Sequence, residues 1–281
     1  MPANTAVGDP GNYAARFVRL AWLSLAQLVR SPSHSRRAEA ARRAARHVLW
    51  LSAGLGATII VLMYVLDAWE IAQMPKRGTP SLWWVRILTD FGKDEYVLLA
   101  LGAVLIAVAF AAPALHGIQR SLLLGLGTRL QFLFLSVALS ALVTDVIKWC
   151  VGRGRPFVGG EANPFNFSHF AGTPAFASFP SGHATTAFAL AVAVAAVWPK
   201  ARVAMAVYAL IIAATRLVLL AHHPSDVVAG ALVGIIVAMF VRYWFAARRL
   251  GFAIQRDGTI VSLVGPSSGR LKRVARSASA P

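Results

Sequence analysis

The stretch SGHATTAFALAVAVAAVWPKARVAMAVYALIIAATRLVLLAHHPSDVVAGALVGIIVAMFVRYW, residues 181–244, decides the fold of this chain. It contains three apolar runs, 182–198, 203–222 and 226–246, separated only by short polar breaks. Each run has about 20 residues, the length a helix needs to cross the hydrocarbon of a bilayer. Three further runs lie upstream, at 47–67, 96–115 and 128–149. The reading is therefore all-α: a polytopic membrane protein built as a six-transmembrane-helix bundle. Composition agrees, since 57% of the 281 residues are hydrophobic and 14% are charged, too apolar for a soluble domain of this length. There is no convincing internal repeat.

Charge predicts the organisation around the bundle. The net charge is +17, concentrated at the two ends. Eight arginines precede His47 against Asp9 and Glu39, and eight Arg or Lys follow from Arg242 onward against Asp257. Next to apolar spans, such tails read as cytoplasmic anchors on anionic lipid. Neither tail offers the basic folded module that nucleic-acid binding needs. The expected domains are a basic N-terminal segment at 1–46, a six-span domain at 47–247, and a basic tail at 248–281 that is disordered beyond Arg256. Ala14 to Val29 is too broken by Arg16 and Arg19 to span, and reads as a surface helix. No cleavable signal peptide is evident in the polar first 15 residues. With both termini inside, the protein is placed in a bacterial inner membrane. The 148–161 connection then falls outside, and it carries Lys148, Arg153 and Arg155 against only Glu161. Positive charge on the disfavoured side suggests a local function. The single cysteine, Cys150, permits no intrachain disulfide and reads as a small apolar filler.

Three segments at span ends carry the chemistry, because ionisable residues in such places are costly without a task. The first is Lys148-Trp-Cys-Val-Gly-Arg-Gly-Arg155-Pro156. Gly152 and Gly154 allow a sharp turn, Arg155 can fork onto phosphate oxygens, and Lys148 supplies a point charge. Alone, Lys148 could equally snorkel to the interface, with Asp145 as its helix-end partner. The second is Pro180-Ser181-Gly182-His183. Ser181 is a natural N-cap, the helix start is an anion site, and Gly182 permits close approach. His183, in the first turn, can donate a proton. The third is Thr215-Arg216 followed by His222-His223-Pro224-Ser225-Asp226. Arg216 and His222, six residues and roughly 9 Å apart on one helix, can reach one phosphate. Asp226 can accept a hydrogen bond from His222 and fix its tautomer. Singly, each segment also reads as an ordinary capped helix or interfacial pair.

Together and in this order, the segments resemble the type-2 phosphatidic acid phosphatase superfamily, in its membrane-bound lipid phosphatase branch. That signature is Lys-x6-Arg-Pro, Pro-Ser-Gly-His and Ser-Arg-x5-His-x3-Asp. Every fixed position matches except that Thr215 stands for serine. The resemblance runs from about Thr144 to Gly230. It implies that His222 is a nucleophile forming a phosphohistidine, that Asp226 orients it, and that His183 protonates the leaving group and then activates water. It also implies that Lys148, Arg155, Ser181, Gly182 and Arg216 hold the phosphate, with no metal or other cofactor. Arg153 is not a fixed position and is left out. His223 is passed over because the motif spacing selects His222.

The implied reaction is hydrolysis of a phosphomonoester or pyrophosphate on a lipid at the periplasmic face. Undecaprenyl diphosphate and lipid A phosphate are the favoured substrates, ahead of phosphatidylglycerophosphate and phosphatidic acid. A phosphotransferase could use the same residues. A transporter is the rival from another class, disfavoured because the ionisable residues gather at one face. The phenylalanines between Phe157 and Phe179 read either as an apolar lid or as membrane anchors.

Overall fold

The computed structural model describes residues 12–75, 78–156, 158–159 and 163–263. These form helices α1 (Tyr13–Val29), α2 (Arg37–Val65), α3 (Asp67–Gln73), α4 (Trp83–Asp90), α5 (Asp94–Ala111), α6 (Gly117–Val151), α7 (Gly182–Val197), α8 (Arg202–Val218) and α9 (Pro224–Ala247). Two strands follow, β1 (Phe252–Ile254) and β2 (Ile260–Ser262). Among the described residues, five helical segments are long and apolar enough to cross a membrane, and the shorter α7 is a sixth apolar helix. All six expected spans are therefore helices.

Their ends differ from the expected boundaries where polar sequence still favours helix. Helix α2 starts at Arg37, ten residues before the apolar run, because the alanine-rich 37–46 segment has high helix propensity. Helix α6 has 35 residues and rises about 52 Å, so it outreaches a hydrocarbon core of about 30 Å.

Helix α7 is the centre of the bundle, packed against α6, α8 and α9. Its Ala184, Ala187, Ala189 and Ala193 are fully buried. Lipid is as apolar as leucine, so helices in a membrane gain by close backbone approach rather than by hydrophobic burial. That is what α9 does. A Cβ on Gly230 would lie 2.4 Å from the Ser181 carbonyl oxygen, and one on Gly234 would lie 2.4 Å from that of Thr185. The two glycines thus lock the start of α7 against the start of α9. This contact brings two of the three chemical segments together.

The opposite end is tied by the tails. Ser33 and His34 donate backbone N–H groups to the Ala247 carbonyl. Residues 252–262, where composition predicted a tail disordered beyond Arg256, instead form an antiparallel hairpin with Phe252 opposite Ser262 and Ile254 opposite Ile260. Phe252 packs edge-on to Phe132, 4.9 Å between centroids, and Phe132 meets Phe245 at 5.4 Å. Burial of Phe252 and Ile254 supplies the order that average composition hid. The Ser, Gly and Arg-rich residues 264–281 lie outside the described residues, as do residues 1–11. Helix α1 forms as expected and lies along α5, with Phe17 stacked on Phe110. Cys150, read from the sequence as a small apolar filler, is exposed on α6.

Candidate active site

All three chemical segments meet at the end of the bundle where α6 stops and α7 and α9 begin. The first segment leaves α6 through Gly152, which has φ 58. A Cβ there would fall 1.8 Å from the Ser168 carbonyl oxygen, so both backbone angle and space demand glycine. The loop is then stitched to residues 166–168 by Ser168 N–H to Gly152 O at 2.7 Å and Gly154 N–H to Asn166 O at 2.8 Å. Arg155 is oriented by its Nε donating to the Pro174 carbonyl at 2.9 Å.

Lys148 makes the expected pair with Asp145, at 3.5 Å. Its Nζ also sits 3.1 Å from where a Cβ on Gly182 would be. The absent side chain at Gly182 therefore lets the ammonium lie over the first turn of α7. Ser181 occupies the N-cap position, yet its hydroxyl makes no capping hydrogen bond. Instead its backbone N–H reaches the Asp226 carbonyl at 2.9 Å, and its buried Oγ has no partner among the described residues. His183 Nε2 is likewise buried without a partner among the described residues. His183 lies within electrostatic reach of Arg216, His222, Lys93 and Lys148.

The third segment departs from the expected geometry. Arg216 and His222 do not share one continuous helix. Helix α8 ends at Val218, Leu220 takes a left-handed φ of 45, and the Ala221 N–H returns to the Arg216 carbonyl at 3.1 Å. This is a helix-ending turn whose left-handed position glycine or asparagine usually fills. Leucine gives no sequence signal for it. His222 therefore reaches the site from a turn. Arg216 remains beside it, 7% exposed, with Nη1 donating to Thr89 Oγ1 at 2.8 Å. Thr215 uses its hydroxyl on the Ile212 carbonyl and on Thr89 Oγ1, at 2.6 and 3.0 Å.

The orienting partner of His222 is also different. Asp226 Oδ2 is 3.8 Å from His222 Nδ1, too far for a hydrogen bond. Nδ1 lies 2.8 Å from the Ser178 carbonyl oxygen. A carbonyl only accepts, so Nδ1 carries the proton and Nε2 keeps its lone pair. Asp226 is occupied elsewhere. Its Oδ2 accepts from Ser178 Oγ at 2.6 Å and from the His223 N–H at 2.9 Å, and its Oδ1 accepts from Arg153 at 2.6 Å. Burial pushes the His222 imidazole down to about 4, against an opposing pull from Asp226. It is neutral near pH 7.

Arg153, passed over in the motif, is fully buried and ion-paired to both Asp67 and Asp226. Neither Asp67 nor Thr89 carries a sequence signal of its role, since both lie far upstream of the three motifs. Ser178, two residues before the Pro-Ser-Gly-His run, could have been suspected from its place alone. A cavity of about 420 Å³ opens beside the site, lined by Asp145, Lys148, Trp149, Arg155, Thr173 and Phe176. Of the loop phenylalanines, Phe170 packs edge-on against Trp149 and Phe165 packs against Tyr64, while Phe157 lies outside the described residues. Among the described residues, no group of three or more His, Cys, Asp or Glu side chains is arranged to hold a metal ion.

Helix α3 adds a titratable group behind the site. Glu70, one turn beyond Asp67, is 4% exposed. Burial, and next the Asp67 charge, push its carboxyl up to about 7. A raised carboxyl favours the native state below its unfolded value, and that stability is lost as pH rises through the folded value. Glu70→Gln should therefore raise the melting temperature at pH 8 and leave it nearly unchanged at pH 4, with a gain of up to about 3 kcal/mol. Thermal unfolding in detergent at the two pH values checks this.

Part of this chain is similar to known proteins. Residues 129–250 match the family model described as PAP2 superfamily. The chain is 39% identical over 127 residues to a lipid A 1-phosphatase of Rhizobium johnstonii, covering 45% of this chain and 52% of that protein. It is 38% identical over 127 residues to a lipid A 1-phosphatase of Rhizobium etli, covering 45% of this chain and 55% of that protein. The chain thus spans about half the length of these curated relatives. No solved structure matches. The matched segment starts in α6 and ends just beyond α9, enclosing every motif that the fold draws to one end of the bundle, and over that segment the chain is similar to the PAP2 superfamily.

Proposed function

We propose that this protein is an integral-membrane lipid phosphatase that releases phosphate from a lipid phosphomonoester or pyrophosphate through a phosphohistidine. The observation that carries the reading is the His222 ring, neutral and anchored through Nδ1 to the Ser178 carbonyl at 2.8 Å. In the first step Nε2 of His222 attacks phosphorus, and the bond from phosphorus to the lipid oxygen breaks. His183 gives its proton to that oxygen. In the second step water loses a proton to His183 and attacks phosphorus, and the phosphorus–nitrogen bond breaks to free phosphate. Lys148, Arg155, Arg216, the Ser181 hydroxyl and the first N–H groups of α7 stabilise the charge that grows on the phosphoryl oxygens, where most of the rate enhancement in such transfers arises.

The names of the Rhizobium relatives favour the 1-phosphate of lipid A as substrate, ahead of undecaprenyl diphosphate. The site faces the periplasm, as the charge distribution implies, with both termini cytoplasmic. The test is phosphate release by the purified protein in detergent. Lipid A, undecaprenyl diphosphate, phosphatidylglycerophosphate and phosphatidic acid are offered in parallel. Full activity in excess EDTA is expected, because the protein's own cations serve the phosphate; a strict metal requirement would remove this mechanism. Absence of release from all four lipids would overturn the hydrolase reading and move the next assay to an acceptor lipid.

A further inference from the structure

We infer that Asp67 and Arg153 are positioning residues for the proposed reaction, so that the working site extends outside residues 129–250 into the connection after α2. The inference rests on the phosphatase reading above. Arg153 holds both groups that face His222. Its Nη1 donates to Asp226 Oδ1 at 2.6 Å, and its backbone carbonyl accepts the Ser178 N–H at 3.0 Å. Ser178 closes the ring by donating Oγ to Asp226 Oδ2 at 2.6 Å. The Ser178 carbonyl then takes His222 Nδ1 at 2.8 Å. His222 is therefore oriented by one corner of a closed ring made by Arg153, Asp226 and Ser178.

Asp67 grips the ring from behind. Its Oδ2 accepts from Arg153 Nη2 at 2.8 Å and from the Ser225 hydroxyl, and its Oδ1 accepts the Ser225 N–H at 3.0 Å. Arg153 Nη1 also donates to Ser225 Oγ at 2.6 Å, and Nε donates to the Pro164 carbonyl at 2.9 Å. Asp67, Arg153, Ser178, Ser225 and Asp226 are all 0% exposed. No solvent screens these charges, so each depends on its partners. The planar guanidinium donates in fixed directions, which sets the distance between the two carboxylates. As His222 bonds to phosphorus its ring becomes cationic. Asp226 can stabilise that charge from 3.8 Å only if it stays ionised and still, and Arg153 supplies both conditions. Asp67 keeps Arg153 from turning away. Its hydrogen bonds run to Arg153 and Ser225, so its influence on His222 passes through Asp226 and Ser178.

Asp67→Asn is the sharpest probe. Both Asp67 oxygens face donors, and an asparagine can satisfy only one side. The kinetics of phosphate release would be measured for wild type, Asp67→Asn, Asp226→Asn and the double variant, in full-length protein in detergent. The expected result for Asp67→Asn is a kcat about tenfold lower with KM within about twofold, the pattern of an interaction made in the transition state. The double variant should be no slower than Asp226→Asn alone, because both changes act through one group. A purely structural role would instead give effects that multiply, or a lowered melting temperature with kcat preserved, and either outcome overturns the inference. If Asp67→Asn does not fold, Ser225→Ala removes the hydroxyl that joins Asp67 to Arg153 without changing charge. An unaltered kcat in that variant would overturn the inference equally. Wild-type protein that releases no phosphate from any of the four lipids defeats the phosphatase reading and this inference together, whereas an active wild type with an unaffected Asp67→Asn defeats only the inference.

Discussion

His222→Ala is expected to lower phosphate release by about 10⁴-fold or more, the scale seen when a covalent nucleophile is removed, and to leave the fold intact. The size follows from the local structure. His222 is 2% exposed, and its Nδ1 is committed to the Ser178 carbonyl, which leaves Nε2 free to attack in the proposed mechanism. His223 is not expected to take over, because it is fully buried at the N-cap of α9, with its backbone N–H donated to Asp226. The fold should survive, since the turn around His222 is held by backbone bonds such as Ala221 N–H to Arg216 O. The measurement is single-turnover phosphate release with the melting temperature followed in parallel. Turnover near the wild-type level in a folded variant would exclude His222 as nucleophile.

His183→Ala is expected to cost about 10²- to 10⁴-fold on the lipid substrate, the usual worth of a positioned general acid. The loss should depend on the leaving group. A lipid alkoxide or sugar oxygen needs a proton as it departs, whereas an activated aryl phosphate does not. His183→Ala should therefore be far less impaired on the first step with an aryl phosphate, and a burst of phenol release should precede slow turnover because water activation also fails. An equal loss on both substrates, without a burst, would assign His183 to phosphate binding. Its place in the first turn of α7, near Lys148 and Arg216, makes that comparison decisive.

The parts of the site that were legible in the sequence are those fixed by short spacing. Lys148 and Arg155 flank one turn, Ser181, Gly182 and His183 open one helix, and Arg216, His222 and Asp226 sit within eleven residues. Within such spans covalent geometry confines the options, so the motif order was enough to gather them. Apart from the helix break at Leu220, the misreadings within the site concern partners. Ser181 looks like a cap and has no capping bond, and Asp226 looks like the hydrogen-bond acceptor of His222 and lies 3.8 Å away. For the His222–Asp226 pair a competing group at hydrogen-bond distance won on each side, the Ser178 carbonyl for His222 and the Arg153 guanidinium for Asp226.

By itself, the sequence determined the membrane-bundle class, the six apolar helices and the motif residues proposed to meet a phosphate. Those depend on hydrophobic run length and on spacing along one chain, both of which are local properties. Only the tertiary structure decided that Asp67, Thr89 and Arg153 belong to the same site, that the α8–α9 turn breaks at Leu220, and that a hairpin caps the opposite end. The physical reason is the close backbone contact at Gly230 and Gly234, which sets α9 directly on α7, together with the full burial of Asp67, Arg153 and Asp226 in the space where distant segments meet. Charges caught in that space must pair with whatever the fold brings within reach, however far apart those residues lie in the chain.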